Sequence, residues 1–400
     1  MRVLFTTFAW PSHFYGMVPL AWAFQSAGHE VVVASQPQLT ETITGAGLHA
    51  AVVGHDPDMR AMMHQPQYQQ VGDTLLDEAV GTLPPEVLPE AEKAKWLTML
   101  WHTCQVAETM TDDLVDFVGD WRPDLIVRDP STFGASVAAR KHGVPEARVT
   151  LCPDVMGKAY DARAALGSPD LAGFFERHGL TVEDSCARWT IDQCPPALRL
   201  PTATERIPMR HVPYATGGTV PDWLLAPKSR PRICLTWGFT TELLRSEAIG
   251  VPQLLGALEG LDCEVVIPGG RRLPGMPADL PGTVRVLDYL PLTMLLPTCD
   301  ALLHHGGGGS MLMAAAQGVP QLMFPQIIDQ AVYAHQLART GAGQVVDRSD
   351  TDPAALRRHV RRFLETSSHR GAALRLQAEI AAQPAPAAVV DTLGRLVDRT

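Results

Sequence analysis

The chain has 400 residues, of which 46% are hydrophobic, 19% charged and 6% aromatic, and its formal net charge is −10. This composition is typical of a folded globular protein and excludes a disordered or fibrous chain. The acidic balance argues against a general nucleic-acid binder, which would carry a basic surface. No apolar run approaches the roughly 20 residues of a membrane span. The N-terminal stretch MRVLFTTFAW predicts a strand rather than a signal peptide.

The cysteine pattern bears on metal binding and on the cellular compartment. The 7 cysteines are an odd number, and no two of them form a CxxC pair. This pattern favours reduced thiols over disulfides or a zinc site. We therefore predict a cytoplasmic protein without a metal site.

The first half of the chain alternates short apolar runs with segments of helical period. Strands are predicted at residues 2–8, 30–35, 124–127 and 147–151, and helices at 16–27, 39–46 and 133–141. Gly28 directly follows the first of these helices, in the position of the usual left-handed cap. Residues 55–118 and 153–200 show no clear hydrophobic period and are predicted to be irregular.

The same alternation returns in the second half, after a stretch rich in Pro and Gly that predicts a linker. Strands are predicted at residues 232–236, 263–267, 284–287, 301–303 and 321–324, and helices at 247–258, 311–317 and beyond 352. Strands that alternate with helices indicate βαβ units and mostly parallel sheets. We therefore predict an α/β protein with two doubly wound domains of similar size.

The segment HHGGGGS, residues 304–310, lies between the predicted strand DALL and the predicted helix MLMAAAQ. A glycine-rich turn at a helix N-terminus presents free N–H groups and positive potential, so it suits an anion such as phosphate. The simpler alternative is a tight turn. Metal binding by the two histidines is less favoured, because neighbouring residues of an extended chain point in different directions. Neither the P-loop pattern GxxxxGK[ST] nor a GxGxxG after the first strand occurs.

Two long stretches carry a family resemblance. HHGGGGS together with GVPQLMFPQIIDQAVYAHQLARTGAG resembles the donor-binding region of family 1 glycosyltransferases of the GT-B fold. SHFYGMVPLAWAFQSAGHEVVVAS is similar to the start of bacterial enzymes that attach deoxysugars to polyketides, in particular the macrolide glycosyltransferases of actinomycetes. The resemblance implies two Rossmann-like domains facing a central cleft. The expected boundaries are 1–212 for the acceptor-binding domain, 213–230 for the linker, 231–380 for the nucleotide-sugar-binding domain, and 381–400 for a C-terminal helix crossing back.

The glycine segment matches the part of the family that contacts the diphosphate of the nucleotide-sugar. His305 matches the contacting histidine, and Gly307, Gly309 and Ser310 match positions that bind phosphate through backbone and hydroxyl groups. His304 faces the other way from a strand end and is expected to play a supporting role. Oriented donors can stabilise the diphosphate leaving group without a metal ion. The resemblance therefore implies a metal-independent enzyme whose co-substrate is a dTDP-linked sugar and which needs no other cofactor.

The resemblance assigns further donor contacts in the second domain. Asp329 and Gln330 match the pair that hydrogen-bonds sugar hydroxyls, although Asp329 could instead cap a helix. Tyr289 matches the ring on which the nucleobase stacks, with a buried core tyrosine as the alternative, and Leu290 would offer backbone groups to the base.

Gly238 and Thr240 match a second diphosphate contact. This sequence departs from the family pattern there, because Phe239 follows the glycine and the hydroxyl comes one residue later. The departure puts the contact by Thr240 in doubt.

The acceptor side falls in the first domain. His13 lies in the loop predicted after the first strand, and the resemblance makes it the general base that acts on the acceptor hydroxyl. Histidine suits this task because its ordinary pKa lies near neutral pH. Asp129, at the end of the predicted strand DLIVR, matches the carboxylate that orients the imidazole. The implied reaction is one displacement that inverts the anomeric carbon. Met- and Trp-rich segments suit a roomy apolar acceptor cleft or a buried core almost equally.

The resemblance extends to partners and leaves rival functions to be weighed. The implied partners are a dTDP-sugar and an apolar polyketide-type acceptor, with a P450-like auxiliary activator protein and a homodimer also to be tested. One rival is a nucleotide-sugar 2-epimerase on the same fold, and another is a non-catalytic sugar-binding homologue. His13, Asp129 and His305 favour a transferase over both.

Overall fold

Parallel strands alternate with helices in both halves of the chain, as the sequence predicts. The computed structural model describes residues 1–67, 87–238, 249–270, 273, 275–277, 279–327, 329–347 and 349–399. Across these ranges, no helix combines the length and the apolar character needed to cross a membrane.

The first sheet contains seven parallel strands in the order β3-β2-β1-β4-β5-β6-β7. The strands are β1 (Arg2–Thr6), β2 (Glu30–Ser35), β3 (His49–Val52), β4 (Leu125–Arg128), β5 (Glu146–Thr150), β6 (Trp189–Asp192) and β7 (Arg206–Pro208). All four residues of β4 and all five of β5 are buried. Parallel sheets are covered by helices on both faces, which explains why polar residues of these strands, such as Arg128 and Glu146, are buried along with the apolar ones.

The second sheet contains six parallel strands in the order β10-β9-β8-β11-β12-β13. The strands are β8 (Arg232–Thr236), β9 (Glu264–Pro268), β10 (Val284–Leu287), β11 (Ala301–His304), β12 (Gln321–Met323) and β13 (Gly343–Val345). Two parallel, helix-covered sheets confirm the prediction of an α/β protein with two doubly wound domains.

Seventeen α-helices occur in the described parts of the chain. They are α1 (Pro11–Tyr15), α2 (Val18–Ser26), α3 (Thr40–Gly45), α4 (Met59–Met63), α5 (Glu90–Glu108), α6 (Thr111–Trp121), α7 (Phe133–His142), α8 (Val155–Leu166), α9 (Pro169–Arg177), α10 (Asp222–Leu225), α11 (Val251–Leu258), α12 (Leu292–Leu295), α13 (Gly308–Ala316), α14 (Gln330–Arg339), α15 (Pro353–Glu365), α16 (Ser368–Ala381) and α17 (Pro386–Val397).

The prediction of irregular structure at 55–118 and 153–200 is wrong where the described residues form α5, α6, α8 and α9. Residues 68–86 of the first segment lie outside the described residues. Helix α5 buries polar residues as well as apolar ones, including Thr98, Thr103 and an ion pair between Glu92 and Lys95. A helix with buried residues of both kinds has no single apolar face, so its sequence shows no clear hydrophobic period.

Two predicted helices have different bounds in the structure. The segment predicted as one helix at 16–27 forms α2, and a separate short helix, α1, precedes it with Pro11 at its first position. Proline suits that position because the N–H it lacks would have no helical partner. His13 therefore lies in a helix rather than in a loop. The helix predicted at 247–258 begins at Val251, and residues 247 and 248 lie outside the described residues.

The strand order defines one switch point in each sheet. Val3 of β1 pairs with Val31 on one side and Leu125 on the other, and β8 lies in the same way between β9 and β11. The connections leave the sheet in opposite directions on the two sides of such a point, which opens a crevice at the carboxyl ends of the strands. The segments that follow β1, β4, β8 and β11 therefore border the crevices.

The C-terminal helix α17 packs against α2 of the first domain. Its side chains Val389, Val390 and Leu393 belong to the same apolar core as Phe5 and Phe24. Just before this helix, the backbone N–H of Arg210 donates to the carbonyl of Pro384 at 2.7 Å. The end of the chain is thus tied to the first domain.

Candidate active site

His13 and Asp129 meet at the switch point of the first sheet. His13 lies in α1, which follows β1, and Asp129 directly follows β4. The imidazole Nδ1 lies 3.4 Å from Asp129 Oδ1, within ion-pair distance, and 28% of the His13 side chain is exposed whereas Asp129 is fully buried. The Phe8 ring packs edge-on against the imidazole, with 4.6 Å between ring centroids. Because Nδ1 faces the carboxylate, Nε2 on the opposite side of the ring is the nitrogen suited to accept a proton.

The carboxylate of Asp129 holds the loop as well as the imidazole. Its Oδ1 accepts from the Ser131 N–H at 2.7 Å, and its Oδ2 accepts from the Phe8 N–H at 3.3 Å and from the Thr132 hydroxyl. Burial alone would raise the pKa of Asp129. The net pKa is nevertheless below its usual value, because other interactions outweigh the effect of burial. These are the hydrogen bond and charge of His13, followed by the hydrogen bonds from the Thr132 hydroxyl and the Ser131 N–H. Asp129 is therefore a buried anion that can stabilise a protonated His13.

A buried ion pair supports the backbone that carries Asp129. Arg128 and Glu146 are both fully buried and form a salt bridge. The Arg128 guanidinium also donates to the carbonyls of Asp129 and Pro130, each at 3.1 Å, and the Tyr160 hydroxyl donates to the second of these. These bonds fix the turn after β4 from behind, so the position of the Asp129 carboxylate is determined by the core.

In the second domain, the His305 imidazole packs closely against two glycines. A Cβ atom at Gly307 would lie 2.5 Å from His305 Nε2, and a Cβ atom at Gly238 would also overlap the imidazole. Gly238 follows β8 with a left-handed φ of 68°, and His305 directly follows β11. Both glycines are therefore needed to seat the imidazole, a role that phosphate binding alone does not explain. Thr240 lies outside the described residues.

The remaining glycines of the segment serve different purposes. Gly306 has a left-handed φ of 87° and makes the turn out of β11. A Cβ atom at Gly308 would overlap Cys152 of the first domain, whereas a Cβ atom at Gly309 would meet no atom within 4 Å. Gly309 and Ser310 lie in the first turn of α13, which has no side-chain cap. Open space therefore borders the exposed first turn of α13, and the free N–H groups of such a turn can stabilise an anion.

Both histidines of the segment stay neutral near pH 7. Burial lowers the pKa of His304 to about 3, with a further contribution from His305 that a bond to Gln321 partly offsets. The Nε2 of His304 lies 3.0 Å from Gln321 Oε1, and its Nδ1 accepts from the Gly306 N–H at 3.2 Å. These partners hold one tautomer, and His304 thereby supports the turn. Burial likewise lowers the pKa of His305 to about 4, although a hydrogen bond to the Thr236 backbone acts in the opposite direction.

Asp329 and Gln330 stand at the start of α14, next to this turn. Asp329 occupies the cap position but makes no side-chain capping bond, so the helix-capping alternative is wrong. Burial raises the pKa of Asp329, while the Tyr333 hydroxyl, nearby backbone groups and His13 act in the opposite direction. Gln330 Oε1 accepts from the N–H groups of Gln326 and Ile327 at 2.9 and 3.3 Å, which leaves the amide Nε2 for a ligand.

Tyr289 is 54% exposed, so the alternative of a buried core tyrosine is wrong. It follows β10 by two residues, and its neighbour Leu290 is 4% exposed and packs in the core beneath. The ring is therefore presented at the surface beside the sheet edge, whereas Leu290 has only its backbone to offer. An exposed tyrosine ring can stack against a planar ligand.

The structure brings the predicted residues of the two domains towards each other. His13 influences the titration of Asp329 across the domain boundary. The contact of Gly308 with Cys152 joins the same two halves. One apolar core cluster also contains side chains of both domains, among them Phe133 and Met311. Sequence reasoning missed Cys152, because a single cysteine in an apolar stretch carries no signal of a domain contact.

A further question is whether the described side chains have the arrangement that a metal ion requires. Within the described ranges, no group of three or more His, Cys, Asp and Glu side chains is arranged to hold a metal ion. Independence of a metal nevertheless stays a prediction, to be tested on the active protein.

The buried histidines predict a loss of stability in acid. In the unfolded chain an imidazole titrates near its usual pKa of about 6.5, whereas folded His304 and His305 remain neutral down to about 3 and about 4. The unfolded state therefore binds more protons across this window, and the free energy of unfolding falls as pH drops from about 6.5 towards 4.

Thermal unfolding followed at a series of pH values measures this effect. We expect the melting temperature to fall in that window, and to fall less steeply in His305→Asn, which cannot titrate. An identical slope in the variant would contradict the assignment of His305 as a neutral buried group.

Comparisons with known proteins identify the family. The N-terminal domain model of the erythromycin biosynthesis protein CIII-like family matches residues 22–238, and the C-terminal domain model matches residues 252–396. The 10-deoxymethynolide desosaminyltransferase of Streptomyces venezuelae is 38% identical, covering 99% of this chain and 97% of the relative. Aklavinone 7-beta-L-rhodosaminyltransferase of Streptomyces galilaeus is 39% identical, covering 99% of this chain and 96% of the relative.

Solved structures agree with this similarity. The glycosyltransferase VinC in complex with dTDP superposes with a TM-score of 0.83 at 33% identity, covering 100% of both chains. The spinosyn rhamnosyltransferase SpnG complexed with thymidine diphosphate gives a TM-score of 0.81 at 28% identity, covering 98% of this chain and 100% of that one. The predicted resemblance to GT-B antibiotic glycosyltransferases is thereby confirmed. The chain belongs to the erythromycin biosynthesis protein CIII-like family and is a glycosyltransferase of the GT-B fold.

Proposed function

We propose that the protein transfers a deoxysugar from a dTDP-sugar to a hydroxyl group of a polyketide-type aglycone, with inversion at the anomeric carbon. The observation that carries the proposal is the placement of the His13–Asp129 pair at one switch point, across the domain boundary from Asp329 and the glycine segment. The relatives support the substrate classes, since their names give desosamine and rhodosamine transfer, and SpnG has been solved with spinosyn aglycone.

In the proposed mechanism, His13 is the general base. Its Nε2 takes the proton of the acceptor hydroxyl while the acceptor oxygen attacks the anomeric carbon from the face opposite the diphosphate. The new carbon–oxygen bond forms as the bond to the diphosphate breaks, and dTDP leaves with the bonding electron pair. The buried anion of Asp129 stabilises the positive charge that His13 acquires, and it holds the imidazole in one orientation.

The leaving group is stabilised by the second domain. The free N–H groups at the start of α13 and the Ser310 hydroxyl are hydrogen-bond donors at the proposed diphosphate site. The single N–H of neutral His305 bonds to the Thr236 backbone, so in the proposal His305 donates to the anion after taking up a proton. Donors held in place before the reaction stabilise charge as it develops, without reorganisation. Asp329 and the amide of Gln330 would bind sugar hydroxyls, and Tyr289 would stack against the base.

The rival functions lack comparable support. Both relatives and both solved structures compared above are transferases or glycosyltransferases by name, so neither an epimerase nor a non-catalytic homologue is favoured. The P450-like auxiliary protein and the homodimer stay predictions. Assaying the separately expressed protein with and without such an auxiliary protein tests the first, and sedimentation in solution tests the second.

Replacement of the base tests the catalytic role. His13→Ala should lower turnover by roughly 100- to 10,000-fold, the range for loss of a general base. The Kd for dTDP should stay unchanged, because His13 belongs to the other domain. Turnover with a dTDP-sugar and an aglycone, combined with calorimetric titration of dTDP, measures both. The exposed His55→Ala serves as the matched control. A mutant that turns over normally, or that loses dTDP binding, contradicts this role.

The glycines allow a test of the diphosphate site. A Cβ atom at Gly309 meets nothing within 4 Å, so Gly309→Ala should fold normally yet fill the space proposed for phosphate. We expect its Kd for dTDP to rise about tenfold or more, as in His305→Ala, which loses a hydrogen bond to the anion. Gly307→Ala should weaken binding indirectly by displacing the His305 imidazole. Unchanged dTDP affinity in Gly309→Ala, at an unchanged melting temperature, would rule out this position for the diphosphate.

Metal independence is tested by chelation. The helix N-terminus and His305 take the place of a cation beside the diphosphate in the proposed mechanism. Turnover should therefore survive dialysis against EDTA and should not rise when Mg²⁺ or Mn²⁺ is added back. Loss of activity with recovery on adding either ion would show that a metal takes part.

A further inference from the structure

The exposed Tyr289 side chain is tied to the interdomain linker. Its hydroxyl donates to the backbone carbonyl of Thr216 at 3.0 Å, and it also contacts the Thr216 hydroxyl. Because the single phenolic proton goes to the carbonyl, the Thr216 hydroxyl must be the donor in the second bond. Two hydrogen bonds thus link a ring of the donor domain to a residue 73 positions away in the linker.

The linker also comes close to the segment that follows β10. A Cβ atom at Gly218 would lie 2.8 Å from Cδ of Pro291 and 3.9 Å from Cε1 of Tyr289. Only glycine allows the linker backbone to come this near without displacing the proline. Residues 216–218 therefore form one edge of the surface that presents the Tyr289 ring.

The other end of this linker segment is held by the acceptor domain. The Tyr214 ring packs edge-on against Tyr15 and against Trp22, with 5.3 Å between ring centroids in each pair. Tyr15 is the last residue of α1, two positions after His13. Burial raises the pKa of Tyr15, and the proximity of Tyr289 and Tyr214 adds to this shift, so the three phenols lie near one another.

We propose that the Tyr289 hydroxyl is a positioning group that joins nucleoside binding to the linker, and that residues 214–218 form part of the donor site. The inference rests on the proposed role of Tyr289 as the platform for the base. A base that stacks on the ring restricts its motion, and the hydrogen bonds to Thr216 pass that restriction to the linker. Tyr214 then holds the linker against the helix that carries His13. Binding of the nucleotide and orientation of the acceptor domain are thereby coupled.

Hydrogen exchange of the linker amides, measured by mass spectrometry with and without dTDP, tests the coupling. In the wild-type protein dTDP should slow exchange at residues 215–219. In Tyr289→Phe, which keeps the stacking ring, the Kd for dTDP should stay within about threefold while the slowing disappears. Turnover at saturating substrates should fall about fivefold or more, because both hydrogen bonds to Thr216 are lost. Equal slowing in both proteins, or no slowing in the wild type, overturns the proposal.

Two further variants separate this inference from the proposed function. Tyr289→Ala should raise the Kd for dTDP roughly tenfold or more, because stacking is lost. An unchanged Kd in Tyr289→Ala overturns both the stacking role of Tyr289 and this inference. A raised Kd in Tyr289→Ala, together with normal slowing of exchange in Tyr289→Phe, overturns only the coupling to the linker. Gly218→Ala keeps the phenol but forces the linker away, so it should also abolish the slowing. Thr219→Val, at an exposed linker position, should behave like the wild type.

Discussion

The positions of the candidate site residues depend on the carboxyl ends of four strands, β1, β4, β8 and β11. In a doubly wound parallel sheet, the chain leaves β1 and β4, or β8 and β11, towards opposite faces, and side chains at those ends converge on one crevice. His13 and Asp129 follow the first pair of strands, and Gly238 and His305 follow the second pair. His13 and Asp129 are thus brought within 3.4 Å of each other although they are 116 positions apart in the sequence. The contact between Gly308 and Cys152 joins the two domains next to the turn that follows β11.

The glycine segment shows how one run of identical residues meets several constraints. Gly306 supplies a left-handed turn, Gly307 makes room for an imidazole, Gly308 admits the other domain, and Gly309 leaves open the space before a helix. The first role concerns backbone conformation, the second concerns packing around His305, and the third concerns the contact between domains. Under the proposed function, phosphate binding requires only the last space to stay empty. A substitution at each position should therefore impair the protein for a different physical reason, although the four residues look equivalent in the sequence.

Much of the fold could be predicted from the sequence, because buried parallel strands are short apolar runs and helices between them keep their period. The roles of His13, Asp129 and His305 are predicted from the family resemblance, and the strand pattern adds only that Asp129 and His305 follow strands; it places His13 in a loop, whereas His13 lies in α1. The long helix α5 could not be predicted in this way, because it buries Thr98 and a Glu–Lys pair beside its tryptophans. The close packing of His305 against Gly238 could not be predicted either, because Gly238 lies 67 residues earlier and becomes a neighbour only when β8 pairs with β11. Contacts that depend on the order of strands in a sheet leave no signal in the local sequence.

Burial of the proposed diphosphate site has two opposite electrostatic effects, and their balance favours a neutral histidine there. Excluding water strengthens the field of the α13 N-terminus at a bound anion. The same burial disfavours a charged imidazole, and it lowers the pKa of His305 to about 4 before any anion is present. A permanently charged group enclosed at this position would be costly without its ligand. A neutral imidazole avoids that cost, and its one N–H is used by the Thr236 backbone. In the proposed complex, the negative diphosphate raises the affinity of His305 for a proton, and the protonated imidazole can donate to both Thr236 and the anion.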